Sequence, residues 1–160
     1  YRYGWDTTTV GLTLALVGVC AMVVQGAGVG PIVKRLGERR ALLLGLSCGA
    51  LGFFIYGAAP TGPLFWLGIP VMAVWGVAGA AIQALTTQLV APDQQGQLQG
   101  ATNSVNSIAQ MLGPFLFTLT FAYFISDQAP FKMPGAPFLL AAALLGLGLV
   151  IAWRTLAPKR

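Results

Sequence analysis

Histidine is absent from this 160-residue chain, and there are only four acids. The commonest general base and metal ligand is therefore missing, and the four acids form no metal-ligand cluster in the sequence. Charged side chains make up 8% of the total, where soluble domains carry about 25%. Nine cations and four acids cannot clothe a globule of this length in a polar skin. Only two cysteines occur, Cys20 and Cys48, each inside an apolar run. Their placement suits small buried thiols and gives no spacing for a disulfide or a metal. The opening Tyr1-Arg2-Tyr3-Gly4-Trp5 lacks a methionine and the basic-then-apolar pattern of a signal peptide, so an interrupted reading frame is expected.

What remains is hydrophobic. Apolar side chains account for 56% of the residues, with 21 glycines and 10 prolines. The chain reads as an integral membrane protein, with room for five or six crossings at about 20 residues each. The charges fall into clusters: Arg2 and Asp6; Lys34, Arg35, Glu38, Arg39 and Arg40; Asp93; Asp127 and Lys132; Arg154, Lys159 and Arg160. Between them lie five uncharged stretches, residues 10–29, 41–59, 64–85, 101–125 and 136–153. Each is twice the length of a barrel strand and apolar on all sides, which predicts an all-α transmembrane bundle forming a single membrane domain. The third stretch has room to continue to Val90. Pro60-Thr61-Gly62-Pro63 is short enough only for a tight hairpin between the second and third helices.

Seven of the nine cations, Lys34, Arg35, Arg39, Arg40, Arg154, Lys159 and Arg160, fall on one side when the helices alternate. The positive-inside rule makes that side cytoplasmic and places Tyr1, the Pro60 turn and the Asp127–Lys132 loop outside. Five spans leave the termini on opposite sides, so a sixth helix before Tyr1 is expected.

Helices in lipid associate through close backbone approach and a few interhelical hydrogen bonds. Small residues at helical spacing suggest packing faces: Gly11, Ala15 and Gly18 with Gly26 and Gly30; Gly45, Gly49 and Gly52; Gly76, Gly79 and Ala80. The fourth stretch instead carries Gln99, Asn103, Asn106 and Gln110 at intervals of four, three and four residues. They form one polar face of one helix, rising about 16 Å from first to last. Amides left in hydrocarbon cost several kcal/mol each, so the stripe must face other helices or water. With Thr102, Ser104 and Ser107 beside it, it reads as a cavity wall, while Gln25 and Gln83 on other helices suit either glue or the same path. Gly113-Pro114 should interrupt the fourth helix and kink it.

Gly45-Leu46-Ser47-Cys48-Gly49 matches the G-x-S-x-G nucleophile elbow. It lies in an apolar helix of a chain with no histidine base, so hydrolase chemistry is excluded. No phosphate-binding loop, dinucleotide fingerprint or metal-ligand cluster appears, so neither cofactor nor metal is implied. The dispersed cations give no nucleic-acid footprint.

The segment Gly30-Pro31-Ile32-Val33-Lys34-Arg35-Leu36-Gly37-Glu38-Arg39-Arg40 resembles the inter-helix signature of the major facilitator superfamily, G-x-x-x-D-R-x-G-R-R. Lys34 stands in place of the aspartate and Glu38 in place of an arginine. Taken with Tyr3-Gly4-Trp5-Asp6, Gly96-Gln97-Leu98-Gln99-Gly100 and Gly113-Pro114, it is similar to the carboxy-terminal half of the tetracycline-efflux branch of drug:proton antiporters. The resemblance implies the last five helices of a twelve-helix carrier in a bacterial inner membrane, with its C-terminus cytoplasmic. It also implies a missing N-terminal half, a small-molecule substrate and a proton as partners. Gly30, Lys34, Arg35, Gly37, Arg39 and Arg40 would form a gating loop; Gln25, Gln83, Gln99, Asn103, Asn106 and Gln110 would line the substrate path. Tetracycline antiporters carry an aspartate near the depth of Gly49 and an arginine at the position of Gln94, and this chain has neither. Proton coupling would then reside in the missing half. The alternative from another class is a non-transporting membrane subunit that holds a partner through its glycine faces.

Overall fold

The computed structural model describes residues 3–126 and 129–156, and every described regular element is helical. The expectations for Arg2, Asp127, Lys159 and Arg160 lie outside the described residues. Five helical spans are long and apolar enough to cross a membrane: Thr7–Leu36, Glu38–Ala58, Gly62–Thr87, Pro92–Ile125 and Ala136–Thr155. They match the five uncharged stretches in number and order, and all but the third take in charged residues at an end.

The first span begins where Asp6 caps it, its carboxylate accepting the Thr9 N–H at 2.9 Å. Bonds from Thr9 hold the Asp6 carboxyl below the usual carboxylate range. Helix α1 (Thr7–Val23) passes through a wide π-helical turn, Val24–Gly28, into α2 (Val29–Leu36). Pro31 supplies a physical reason for the wide turn. In a regular helix its ring would meet the carbonyl four residues back, at Ala27, and the widened turn lies there.

The basic segment 30–40 is therefore not a loop, which corrects the sequence expectation. Gly30, Lys34 and Arg35 belong to α2, Arg39 and Arg40 to the first turn of α3 (Glu38–Ala58), and Gly37 is the single residue between them. Gly37 has φ 76° and ψ 159°, a conformation that L side chains rarely adopt. Its N–H bonds the Val33 carbonyl and its carbonyl receives the Ala41 N–H, so it ends one helix and opens the next. Lys34 and Arg35, in the last turn of α2, complement its carbonyl-end dipole, whereas Arg39 and Arg40, in the first turn of α3, oppose that helix's dipole and are suited to their place by the headgroups.

Helix α3, the second span, is the hub, packing against the third and fifth spans and, through α2, against the end of the first. Its glycines make that possible. A Cβ on Gly45 would lie 2.7 Å from the Ala78 backbone nitrogen, on Gly49 2.7 Å from the Trp75 ring, and on Gly52 3.0 Å from Met72 Cα. The expected packing face of α3 is thus real. At Gly11, Gly18, Gly26, Gly30 and Gly79, by contrast, nothing lies within 4 Å of a Cβ position, so those glycines face no neighbour in the described chain.

The third span is two helices, α4 (Gly62–Ala73) and α5 (Gly76–Thr87), where one was expected. Between them the backbone tightens, Trp75 N–H bonding Met72 and Ala78 N–H bonding Trp75 at 3.0 and 2.9 Å. The turn delivers the Trp75 indole onto Gly49 and against Phe53, ring centroids 5.8 Å apart. After a short 3-10 turn, Pro92–Gln94, α6 (Gln95–Ile125) runs unbroken through Gly113-Pro114, so no interruption occurs there. Proline deletes a single backbone bond, and the flanking ladder carries the helix across. Helix α7 (Ala136–Thr155) closes the chain against α3.

The two ends of the bundle differ in composition. One holds the apolar cluster Ala41, Leu42, Val77, Ala78 and Ala81, with Ile32, Val33 and Leu156 packed on it. The other joins eight aromatic rings, from Tyr3 and Trp5 through Phe65, Trp66 and Tyr56 to Phe53, Trp75 and Phe138. At that aromatic end Tyr3 Oη donates to the Ala59 carbonyl at 2.8 Å, and Trp66 Nε1 donates to Thr13 Oγ1 at 3.0 Å. Such amphipathic rings suit a headgroup boundary.

Candidate functional site: an amide face on three helices

Helix α6 has no buried residue, and all four amides of its stripe are exposed. Two of the hydroxyls beside it need no external partner. Ser104 Oγ donates to Gly100 and Ser107 Oγ to Asn103, both at 2.9 Å, so they are satisfied on their own backbone. The amides differ: among the described residues Gln99 has one side-chain partner, Gln83 on α5, with Gln83 Nε2 donating to Gln99 Oε1 at 3.1 Å. Asn103, Asn106 and Gln110 have no side-chain hydrogen bond to a described residue.

The Gln83–Gln99 bond sets a common level from which depth can be counted on both helices. Seven residues up α6 from Gln99 is Asn106, and seven residues back along α5 from Gln83 is Gly76. Each step is two helical turns, about 10 Å, and returns to within about 20° of the same face. Gly76 lies against Gln25, a Cβ there falling 3.4 Å from Gln25 Cγ. Gln25, Gly76 and Asn106 are thus at about the same depth. Gln25 itself is carried on the π turn, where the widened backbone re-aims the side chain, and it borders a cavity of about 340 Å³ with Tyr56, Met72 and Trp75. Amides on three helices thus lie at comparable levels, and one pair of them, Gln83 on α5 and Gln99 on α6, is joined by a hydrogen bond. Gln110 lies one turn above Asn106 and meets no partner side chain in the described chain.

Lys34, Arg35, Arg39, Arg40 and Arg154 gather at the opposite end from the aromatic rings, while Lys132 lies just before α7 on the aromatic side. Lys34, Arg35 and Arg40 are exposed and Arg39 is half-buried, its Nε enclosed without a hydrogen-bond acceptor among the described residues. Glu38 is engaged by α5, its Oε1 accepting from Gln88 Nε2 at 3.0 Å. That bond ties the α2–α3 joint to the end of α5. Ser47 sits mid-helix in α3, far from any strand-turn-helix elbow, and both cysteines are free.

Tyr56, Trp75 and the π turn escaped sequence reasoning. The signal for the turn was Pro31 following closely on Gly26 and Gly28, where Gly26 reads as packing and Pro31 only as part of the basic segment. Nothing in the residue order marks the tightened turn before Gly76.

These features define a polytopic helical membrane protein with an unpartnered amide face. Residues 1–160 match the Major Facilitator Superfamily, and the chain belongs to that family of transporters. It is 35% identical over 124 residues to the class C tetracycline resistance protein of Escherichia coli, covering 76% of this chain and 31% of that protein. To the class D tetracycline resistance protein of Salmonella ordonez it is 30% identical over 150 residues, covering 94% and 37%. It is also 27% identical over 163 residues to the human Hippocampus abundant transcript-like protein 1, covering 93% and 32%. The chain spans about a third of the length of these curated relatives. No solved structure matches it.

Proposed function

We propose that this chain is the carboxy-terminal part of a secondary carrier that exports a small molecule in exchange for protons, with the amide face turned toward the substrate path. The observation that carries the reading is the contrast within that face. Gln99 is paired with Gln83, whereas Asn103, Asn106 and Gln110 have no partner in the described chain although they belong to a membrane-spanning helix. Unpaired amides at bilayer depth require water, substrate or another part of the carrier. Relatives named as tetracycline resistance proteins support a drug substrate, and tetracycline is the first to try.

Proton coupling belongs to the part of the carrier outside this chain. Gly49 is sealed beneath the Trp75 indole, so a carboxylate there would have to displace the ring. In this reading the membrane is the bacterial inner membrane, and the basic end, with Arg154, is cytoplasmic. The α2–α3 joint would serve as the gate, moving as two helix ends about Gly37. The alternative, a non-transporting subunit gripping a partner through glycine faces, loses the α3 glycines, which are occupied within the chain, and would rest on Gly11, Gly18, Gly26 and Gly79, which are open.

The test is Asn106→Leu and Gln110→Leu in the full-length protein. Each should lower export by about tenfold, the equivalent of one well-placed amide contact, while leaving membrane abundance unchanged. Unaltered export by both variants would return the row to helix packing.

A further inference from the structure

We propose that the basic end of the bundle holds a specific site for one anionic membrane phospholipid, its phosphate seated between Lys34 and Arg35 on α2. The charge inventory comes first. Lys34, Arg35, Arg39, Arg40 and Arg154 share this end, against Glu38 and Asp93. Glu38 is occupied by the Gln88 amide at 3.0 Å, and none of the five cations has an ion pair among the described residues. Arg39 keeps Nε enclosed without an acceptor, so the joint is short of acceptors as well as of negative charge.

Shape is the second observation. A groove of about 390 Å³ is lined by Gly30, Pro31, Lys34 and Arg35. These are two adjacent rows of residues four apart, Gly30 with Lys34 and Pro31 with Arg35, so each row ends in a cation. The floor is open because Gly30 has no side chain and nothing lies within 4 Å of its Cβ position. Below the groove Met22 and Val23 are exposed, 73% and 60%, giving an apolar track on the same span for an acyl chain. Two cations above an apolar slot match an anionic headgroup with its tail, whereas a free anion would gain nothing from the slot. General attraction of cations to headgroups needs no groove and no particular pair.

The test uses the full-length protein in mild detergent, with bound lipid counted by native mass spectrometry during titration with phosphatidylglycerol or phosphatidylcholine. One phosphatidylglycerol should be retained and phosphatidylcholine should not. A basic residue near a headgroup is worth about fivefold in affinity, so Lys34→Gln with Arg35→Gln should weaken retention about twenty-five-fold. Arg154→Gln, at the same end but off the groove, should change it by less than about twofold. Gly30→Leu fills the slot without altering charge and should also abolish retention, with a thermal-unfolding trace confirming that the variant is folded. Equal losses from Arg154→Gln and the α2 pair, or full retention by folded Gly30→Leu, would overturn the site in favour of diffuse attraction. Displacement of the lipid by millimolar inorganic phosphate would overturn it in favour of a free-anion site.

Discussion

Helices α3 and α6 are both apolar spans of one chain, yet 39% of the apolar window of α3 is buried and none of that of α6. The difference tracks what each helix offers its neighbours. Helix α3 offers glycines, which let other backbones approach to contact; α6 offers carboxamides, which need hydrogen-bonding partners that the chain mostly does not supply. In lipid, apolar surface alone does not drive helices together, so burial in this protein measures backbone fit and not hydrophobicity. The most hydropathic span confirms the point: Ala136–Thr155 reaches a mean hydropathy of 2.2 with 11% of its window buried.

The sharpest way to break this comparison is to make the same substitution in both helices. Gly45→Ala puts a methyl 2.7 Å from the Ala78 nitrogen, where backbone and not a flexible side chain must yield. It should cost about 3 kcal/mol, seen as a lower unfolding temperature in detergent and less protein in the membrane. Gly100→Ala on α6 meets nothing within 4 Å and should instead gain about 0.5 kcal/mol from helix propensity. A loss at Gly100 as large as that at Gly45 would show a further segment of the carrier packed on that turn.

The next effect concerns the joint between the exposed first span and the hub. Gly37→Ala must hold φ near 76° with a Cβ, or shift the angle between α2 and α3. The expected cost is about 2 kcal/mol, again read from thermal unfolding, with Gly79→Ala as the open-space control. If the joint is the gate, Gly37→Ala should lower export more than it lowers abundance.

The contrast between α3 and α6 was partly legible in the sequence. The five spans follow from where charge is missing, and the glycine spacing at Gly45, Gly49 and Gly52 correctly marks the face of α3. The same spacing in the first span marks nothing in this chain, because small residues permit close approach without supplying a neighbour. The stripe of α6 was visible because amides in hydrocarbon stand out at helical period. Its bond to Gln83 was not, since pairing across helices depends on register between spans far apart in sequence. The basic segment read as a loop because charge was taken to end a helix, whereas in a bilayer it ends only the immersed part. At about 1.5 Å per residue the 30-residue first span is about 45 Å long, so its last turns leave the hydrocarbon while remaining helical.

A smaller effect tests whether the Gln83–Gln99 bond anchors α6. Gln83→Leu removes it and leaves Gln99 unpaired, which should cost about 0.6 kcal/mol, a typical interhelical bond in a membrane. Gln83→Leu together with Gln99→Leu should recover most of that loss, because both polar groups are then removed. A double variant as unstable as the single one would mean that Gln99 meets something else.

The smallest effect separates α1 from α6, the two spans least buried in the bundle. Helix α1 is secured at its aromatic end, where Asp6 caps the first turn and Trp66 bonds Thr13, while α6 has no capping side chain. Because Thr9 lowers the Asp6 pKa, the carboxylate form favours the folded turn. That contribution is complete above the unfolded value near 3.8 and is lost as pH falls through the lower folded value. Amide exchange at Thr9 should therefore quicken only under acid conditions below that window's top, with Asp6→Ala showing the fast rate at every pH once intrinsic exchange is divided out. The first turn of α6 should show no such acid-dependent step, since Gln94 at its cap position makes no side-chain bond to the helix. An acid step of equal size in both helices would show that it arises from general loosening of the bundle and not from the Asp6 cap.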